Sequence, residues 1–169
     1  MPTITPEQRA LIGQETAPRL APYAVNEAMA RFWCEMVEDP NPIYFDEAYA
    51  RTTWLESGFA PPPMLFTWGM APVWPEVPRE GPIAKLKLEG CTAVIAVNAV
   101  QEYFQPLRYG DTLTVTSQIS AIGEEKTIRP ATGHFVSTKD TFRNQHGQVV
   151  GTHTFTLFMY RPKPREGGG

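Results

Sequence analysis

Hydrophobic and polar positions divide the chain into a helical first part and a stranded second part. Residues 6–16 read as a short helix opened by Pro6, with a thin apolar face. Asn26 is placed as N-cap to a helix over 27–38, where Met29, Phe32, Trp33 and Met36 recur at spacings that share one side. Asp39-Pro40 ends it, because a proline ring disfavours helical geometry in the preceding residue and lacks a backbone donor. A second short helix is predicted over 46–56, which makes residues 39–44 the link between two helices. Pro63 opens a third, Met64-Leu-Phe-Thr-Trp-Gly-Met-Ala, with almost no polar side. A helix apolar all round is expected to be wrapped by other structure.

From residue 83 onward the pattern is that of strands. Residues 93–100 are rich in β-branched side chains, and residues 112–119 alternate. Two further strands, over 134–143 and 149–160, flank Asn144-Gln-His-Gly147, which reads as a hairpin turn, and Tyr109-Gly110-Asp111 supplies the turn before residue 112. There are no internal repeats. Helices followed by long antiparallel strands predict an α+β architecture with an apolar helix for the sheet to curl around.

Composition narrows the class without changing this picture. A chain of 169 residues suits one domain, and 42% hydrophobic with 20% charged residues is ordinary for a globular protein. No apolar run approaches the roughly 20 residues that span a bilayer, and the first residues lack the charged-then-apolar order of a secretion signal, so a cytoplasmic location is expected. A net charge of −3 argues against a non-specific nucleic-acid binder. Cys34 and Cys91 form no metal-ligand pair and are expected to be buried, reduced thiols. Several of the 17 prolines cluster at 61–63 and from Pro72 to Pro82, predicting extended segments and turns there.

Three stretches carry candidate chemistry: Asp39-Pro-Asn-Pro-Ile-Tyr44, Gly58-Phe-Ala-Pro-Pro-Pro-Met64, and Glu102-Tyr-Phe-Gln-Pro-Leu-Arg-Tyr-Gly-Asp-Thr-Leu113. Together they resemble the MaoC-like, (R)-specific 2-enoyl-CoA hydratases, whose motif runs Asp-x-Asn-Pro-aliphatic-His. Here Tyr44 stands at the histidine position. The resemblance spans about residues 20–161 and implies a hot-dog fold, a long antiparallel sheet wrapped around a central apolar helix. It divides the chain into an extension over 1–22, one domain over 23–161 and a flexible tail over 162–169. In that family an aspartate and a histidine hold and deprotonate water, and backbone amides at the start of the central helix face the thioester carbonyl. Imidazole suits that task because it titrates near neutral pH, whereas a tyrosine with a pKa near 10 is a poor base there.

The resemblance therefore implies a degenerate motif, Asp39, Asn41 and Tyr44, with no catalytic residue assigned. Asn41 is expected to fix the turn by bonding backbone groups. Pro61, Pro62 and Pro63 have no N–H, so an oxyanion site would rest on Met64, Leu65 or later amides. Met64, Leu65, Phe66 and Trp68 are candidate acyl-pocket residues whose first task is core packing. Coenzyme A enters as part of the substrate, with Lys126, Arg129, Lys139, Arg143 and Arg161 as candidate phosphate partners, and no cofactor or metal is expected. His134, His146 and His153 read as surface or structural histidines, and Tyr103 and Phe104 as residues at a contact between two hot-dog units. The implied function is a non-catalytic or pocket-forming subunit of a heteromeric 2-enoyl-CoA hydratase, with Asp and His supplied by a MaoC-like partner chain. The narrower form names a bulky, steroid side-chain acyl-CoA. The alternatives are a self-sufficient homodimeric hydratase or dehydratase using Asp39, and an acyl-CoA-binding or scaffolding module.

Overall fold

Local chemistry sets where the first elements begin, and tertiary contacts set where they stop. The computed structural model describes residues 4–75, 81–128 and 131–162. Thr5 caps α1 (Pro6–Ala10) through a reciprocal pair, its side chain taking the Gln8 N–H while the Gln8 side chain takes the Thr5 N–H. The helix expected over 6–16 is shorter because the chain leaves it to join the sheet. The N–H groups of Gly13 and Thr16 bond to the Ile119 and Ser117 carbonyls, and β1 (Arg19–Leu20) pairs with the same strand.

Asn26 caps α2 (Glu27–Val37) by accepting the Met29 N–H, as its sequence position predicts. The apolar set expected on one side of this helix splits. Ala30 and Cys34 are buried, with Met29 and Trp33 packed beside them, whereas Phe32 and Met36 are 68% and 76% exposed. Phe32 lies two residues beyond Ala30, and Met36 two beyond Cys34, which is roughly 200° round the helix. The face turned to the core therefore carries small residues. Asp46 caps α3 (Glu47–Arg51), and a short ladder joins β2 (Phe59–Ala60) to residues 107–108.

The apolar helix is shorter than its sequence suggests: a tight 3-10 turn at Pro62–Met64 leads into α4, only Leu65–Trp68. It ends at Gly69, where an added Cβ would sit 2.6 Å from the Phe142 ring, and Pro72 follows close behind. The remaining strands are β3 (Ala93–Tyr103), β4 (Leu107–Arg108), β5 (Thr114–Ile122), β6 (Lys126–Ile128), β7 (Ala131–Arg143) and β8 (Val149–Arg161). Between β7 and β8 lies the expected hairpin, with Gly147 at φ 75°. The sheet runs β1-β5-β7-β8-β3, every pairing antiparallel, with β6 added beside β7.

This sheet curls over α4, which is the hot-dog arrangement. Met64, Leu65 and Trp68 are almost fully buried among Leu113, Val115, Phe142 and Val150. A second cluster, Ile4, Leu86, Leu88, Ile119, Ile122 and Val136, fills the other end of the curled sheet. At the outer edge β3 is largely bare: Val94, Ile95, Val97 and Val100 are 47–55% exposed. Among the described residues no helix is long and apolar enough to cross a membrane.

The seat of α4 is tightest at Gly151 of β8, where an added Cβ would lie 2.6 Å from Leu65 Cδ2 and 2.6 Å from the Glu102 carbonyl oxygen. One of these neighbours is backbone and cannot step aside. Gly151→Ala should therefore destabilise the fold by about 1–3 kcal/mol, the usual range for overpacking. A thermal melt should show the midpoint falling by several degrees, at roughly 2–4 °C per kcal/mol for a chain of this size.

Candidate functional site

The motif at 39–44 is built from the end of α2 and the following turn. Glu38 adopts the left-handed conformation at φ 57°, which lets the Asp39 N–H return to the Cys34 carbonyl at 2.9 Å. Asp39 Oδ1 then accepts the Asn41 N–H at 3.1 Å, and Asn41 Oδ1 accepts the Ile43 N–H at 3.2 Å, opening the 3-10 turn Pro42–Tyr44. Both polar side chains of the motif are thus occupied in folding it.

Tyr44 is half-buried, its ring set edge-on to Phe59 with centroids 5.3 Å apart, and its carbonyl accepts the Tyr109 hydroxyl. Burial raises the Tyr44 phenol above its ordinary pKa of 10, and Asp39 and Cys34 nearby add to the shift. Tyr109 is raised further, again chiefly by burial. Neither phenol can act as a base at neutral pH. Burial also raises the Cys34 thiol, with Asp39 contributing. Beside Asp39 the surface forms an open depression of about 410 Å³ between α2 and Phe45.

The third sequence stretch positions this turn rather than facing it. Asp111 is buried and accepts the Arg108 N–H at 2.8 Å and Gln145 Nε2 at 2.9 Å, locking the turn before β5 to the β7–β8 hairpin. Gly110 N–H bonds to the Val25 carbonyl and Val25 N–H to the Asp111 carbonyl, so the same turn anchors the start of α2.

At the entrance to α4 the first amides close the turn. Pro61, Pro62 and Pro63 have none, the Met64 N–H bonds to the Pro61 carbonyl at 3.0 Å, and the Leu65 N–H goes to Pro62. Of the four candidate acyl-pocket residues, Met64, Leu65 and Trp68 lie in the core and Phe66 lines a cavity of about 750 Å³.

The histidines are apart from the motif in their contacts. His134 Nδ1 lies 2.9 Å from the Gly123 carbonyl, and His146 sits exposed in the hairpin. His153 is buried between the rings of Phe66 and Phe155, with its Nδ1 unpartnered and 3.8 Å from Asp140 Oδ2. The register makes this a row across the sheet: Ser117 of β5 opposes Asp140 of β7, which opposes His153 of β8, which opposes Gln101 of β3. Ser117 Oγ donates to Asp140 Oδ1 at 2.5 Å. Sequence reasoning missed Ser117 and Asp140. Their signal was polar residues at the inward positions of alternating strands, between Val115 and Ile119 in β5 and between Val136 and Phe142 in β7.

The candidate phosphate partners do not converge on a shared anion. Arg161 pairs with Glu125, Arg143 donates to Thr116 at 3.3 Å, Lys126 and Lys139 lie on β6 and β7, and Arg129 is outside the described residues. Among the described residues no three His, Cys, Asp or Glu side chains gather as a metal site.

The fold around the turn is a curled sheet over a short buried helix. Residues 10–153 match the family described as FAS1-like, dehydratase domain region. The chain belongs to that family. It is 37% identical over 157 residues to the probable enoyl-CoA hydratase alpha subunit of Thermomonospora curvata, covering 88% of this chain and 49% of the relative. It is 34% identical over 124 residues to the 3-oxo-4,17-pregnadiene-20-carboxyl-CoA hydratase alpha subunit of Mycobacterium tuberculosis, covering 71% and 40%. The chain thus spans half or less of these two curated relatives. Among solved structures, the ChsH1-ChsH2 complex of M. tuberculosis matches with a TM-score of 0.79 at 25% identity, covering 90% of this chain and 87% of that one. A MaoC-like dehydratase from Rhodospirillum rubrum matches with a TM-score of 0.61 at 21% identity, covering 90% and 94%, which places the FAS1-like dehydratase chain among hot-dog folds.

The buried imidazole gives this dehydratase-family chain an acid-sensitive element. Burial lowers His153 below its ordinary value of 6.5, and the pull of Asp140 in the opposite direction does not overcome it. The unfolded chain therefore takes up this proton at higher pH than the folded one. His153 contributes stability above pH 6.5 that is lost as pH falls through the depressed folded value. Melts between pH 7.5 and 5 should show a decline that is smaller in His153→Phe, and a variant with an unchanged pH profile would remove His153 as its source.

Proposed function

We propose that this chain is the non-catalytic, pocket-forming unit of a heteromeric 2-enoyl-CoA hydratase, with the catalytic Asp and His on a MaoC-like partner chain. The observation that carries the reading is the 39–44 turn. Tyr44 replaces the base, Asp39 and Asn41 hold the backbone, and the first amides of α4 are bonded internally. On this reading neither the turn nor the first amides of the helix entrance supply a group to activate water or donors for an enolate oxygen.

Two further observations support a partner. Val94, Ile95 and Val100 lie on an edge strand with unpaired backbone groups, the kind of edge that proteins cover or extend with another strand. Next to it, Trp54 (83% exposed), Tyr103 and Phe104 rim an apolar groove that reaches Leu65 and Val150. A solved structure that the chain resembles is also a complex of two chains, ChsH1-ChsH2. The occupant of this edge is accordingly a MaoC-like chain, and the acyl group is bulky. The steroid side-chain class named for one relative is the narrower form of the same reading.

Purified alone, the chain should hydrate 2-enoyl-CoA thioesters no faster than buffer. Co-expressed with a MaoC-like chain carrying an intact Asp-x-Asn-Pro-x-His, it should form a stable active complex. In that complex Asp39→Asn should leave kcat/KM within about twofold, because Asp39 shapes a turn outside the chemistry. A loss of a hundredfold or more, provided the complex still assembles, would place Asp39 in the reaction and sink the proposal.

Surface geometry supplies an independent check. Val100→Asp puts a charge on an exposed edge position and should leave the isolated fold intact, since such substitutions usually cost within ~0.5 kcal/mol. Size-exclusion chromatography should show the partner released. Retention of the complex with this variant would move the interface elsewhere.

A further inference from the structure

The contacts of His153 depend on whether its ring carries a second proton. The side chain is 4% exposed, its ring centroid lies 4.3 Å from that of Phe66 on α4 and 5.7 Å from that of Phe155, and Nδ1 has no hydrogen-bond partner. Asp140 Oδ2 stands 3.8 Å from this nitrogen, about 1 Å beyond hydrogen-bond length. Two acceptors facing one another keep such a distance, which is the case when the single proton of a neutral imidazole sits on Nε2. A proton on Nδ1 turns one acceptor into a donor. The remaining gap is then small enough for a rotation of the ring to close, with neither strand displaced.

No other charged group competes for the ring among the described residues. On β7, Lys139 precedes Asp140 and so points to the other face of the strand. On β3, Gln101 opposes His153, and the adjacent Glu102 takes the Thr152 hydroxyl. From β5 comes Ser117, bonded to Asp140 Oδ1 at 2.5 Å, and α4 (Leu65–Trp68) has no titratable side chain. Glu15, Arg19 and Lys85 line the same cavity as Asp140, and Arg19 is tied to the Gly69 carbonyl at 2.6 Å. Of the charged groups, Asp140 is the one that acts on the imidazole.

We propose that His153 is a proton-operated latch between the sheet and α4. Uncharged, the ring packs against Phe66 and stands off Asp140. Protonated, it donates from Nδ1 to Asp140 Oδ2, pins β8 to β7 and slides out from under Phe66. The face of a phenyl ring attracts an imidazolium, but a carboxylate carries a full opposite charge, so the ring moves to Asp140. Phe66 is 38% exposed and lines the cavity of about 750 Å³, and it turns into that space once its stacking partner has left. The latch belongs to the packing of this chain and is read without turnover, so it does not depend on a hydratase role.

Nuclear magnetic resonance of the isotope-labelled full chain, titrated from pH 7.5 to 4, tests the latch. A slowly exchanging His153 Nδ1–H signal should appear in acid, and the Overhauser contact between the Phe66 and His153 rings should vanish with the same midpoint. In Asp140→Asn the signal should be absent, the ring contact should persist, and the His153 midpoint should fall by about one pH unit, the usual effect of losing a neighbouring opposite charge. A Phe66 contact that survives the titration of His153, an unchanged midpoint in folded Asp140→Asn, or unfolding of the wild type before His153 titrates would overturn the proposal. If Asp140→Asn does not fold, Ser117→Ala takes its place: it leaves the carboxylate without its Ser117 donor and should raise the His153 midpoint, and an unchanged midpoint there also sinks the latch.

Discussion

The fold depends on how closely a very short helix can approach the sheet curled over it. Leu65 reaches β8 at Gly151, and on the other side Gly69 admits the Phe142 ring and Val115. Both contacts need a missing Cβ, so packing density here is set by two glycines rather than by large side chains interlocking. The buried part of α4 spans little more than one turn, yet it carries Met64, Leu65 and Trp68 to the middle of the main core. What the helix lacks in length is made up by the length of β7 and β8, which fold around it and close the second cluster beyond its end.

That same approach also fixes which backbone groups the entrance to α4 leaves available. Bringing Leu65 onto Gly151 requires a tight entrance to the helix, and Pro61, Pro62 and Pro63 supply it by fixing the backbone. The rigidity removes three N–H groups, and the next two are used to close the turn. At 39–44 a similar exchange occurs: Asp39 and Asn41 give their acceptors to the backbone, and Tyr44 packs its ring on Phe59. In both places groups that could have served chemistry serve conformation instead.

Local signals in the sequence were readable where the forces are local. The Asn26 cap, the halt at Asp39-Pro40, the hairpin at 144–147 and the long strands all follow from capping, proline sterics and alternation, and the folded chain has them in place. The length of α4 was not readable, because it is cut by the approach of Phe142, a residue 73 positions beyond Gly69. The outward turn of Phe32 and Met36 was missed for a related reason: apolar character alone does not say which of two stripes the small residues let in. The polar row across β5, β7 and β8 was invisible because it depends on register, and one residue of slip would send Ser117 and Asp140 to opposite faces.

Register also separates the two polar centres of the molecule. The 39–44 turn sits at the end of α2, where the bonded side-chain oxygens of Asp39 and Asn41 have backbone partners close in sequence. The Ser117–Asp140–His153 row sits on paired strands, and its unpartnered imidazole nitrogen persists because the surrounding ladder leaves it no local partner. Unmet polarity that a turn could relieve by small backbone shifts cannot be relieved in the middle of a sheet without breaking its hydrogen bonds. The buried imidazole of His153, with a nitrogen left unpartnered beside the half-buried carboxylate of Asp140, is therefore the feature least explained by folding alone.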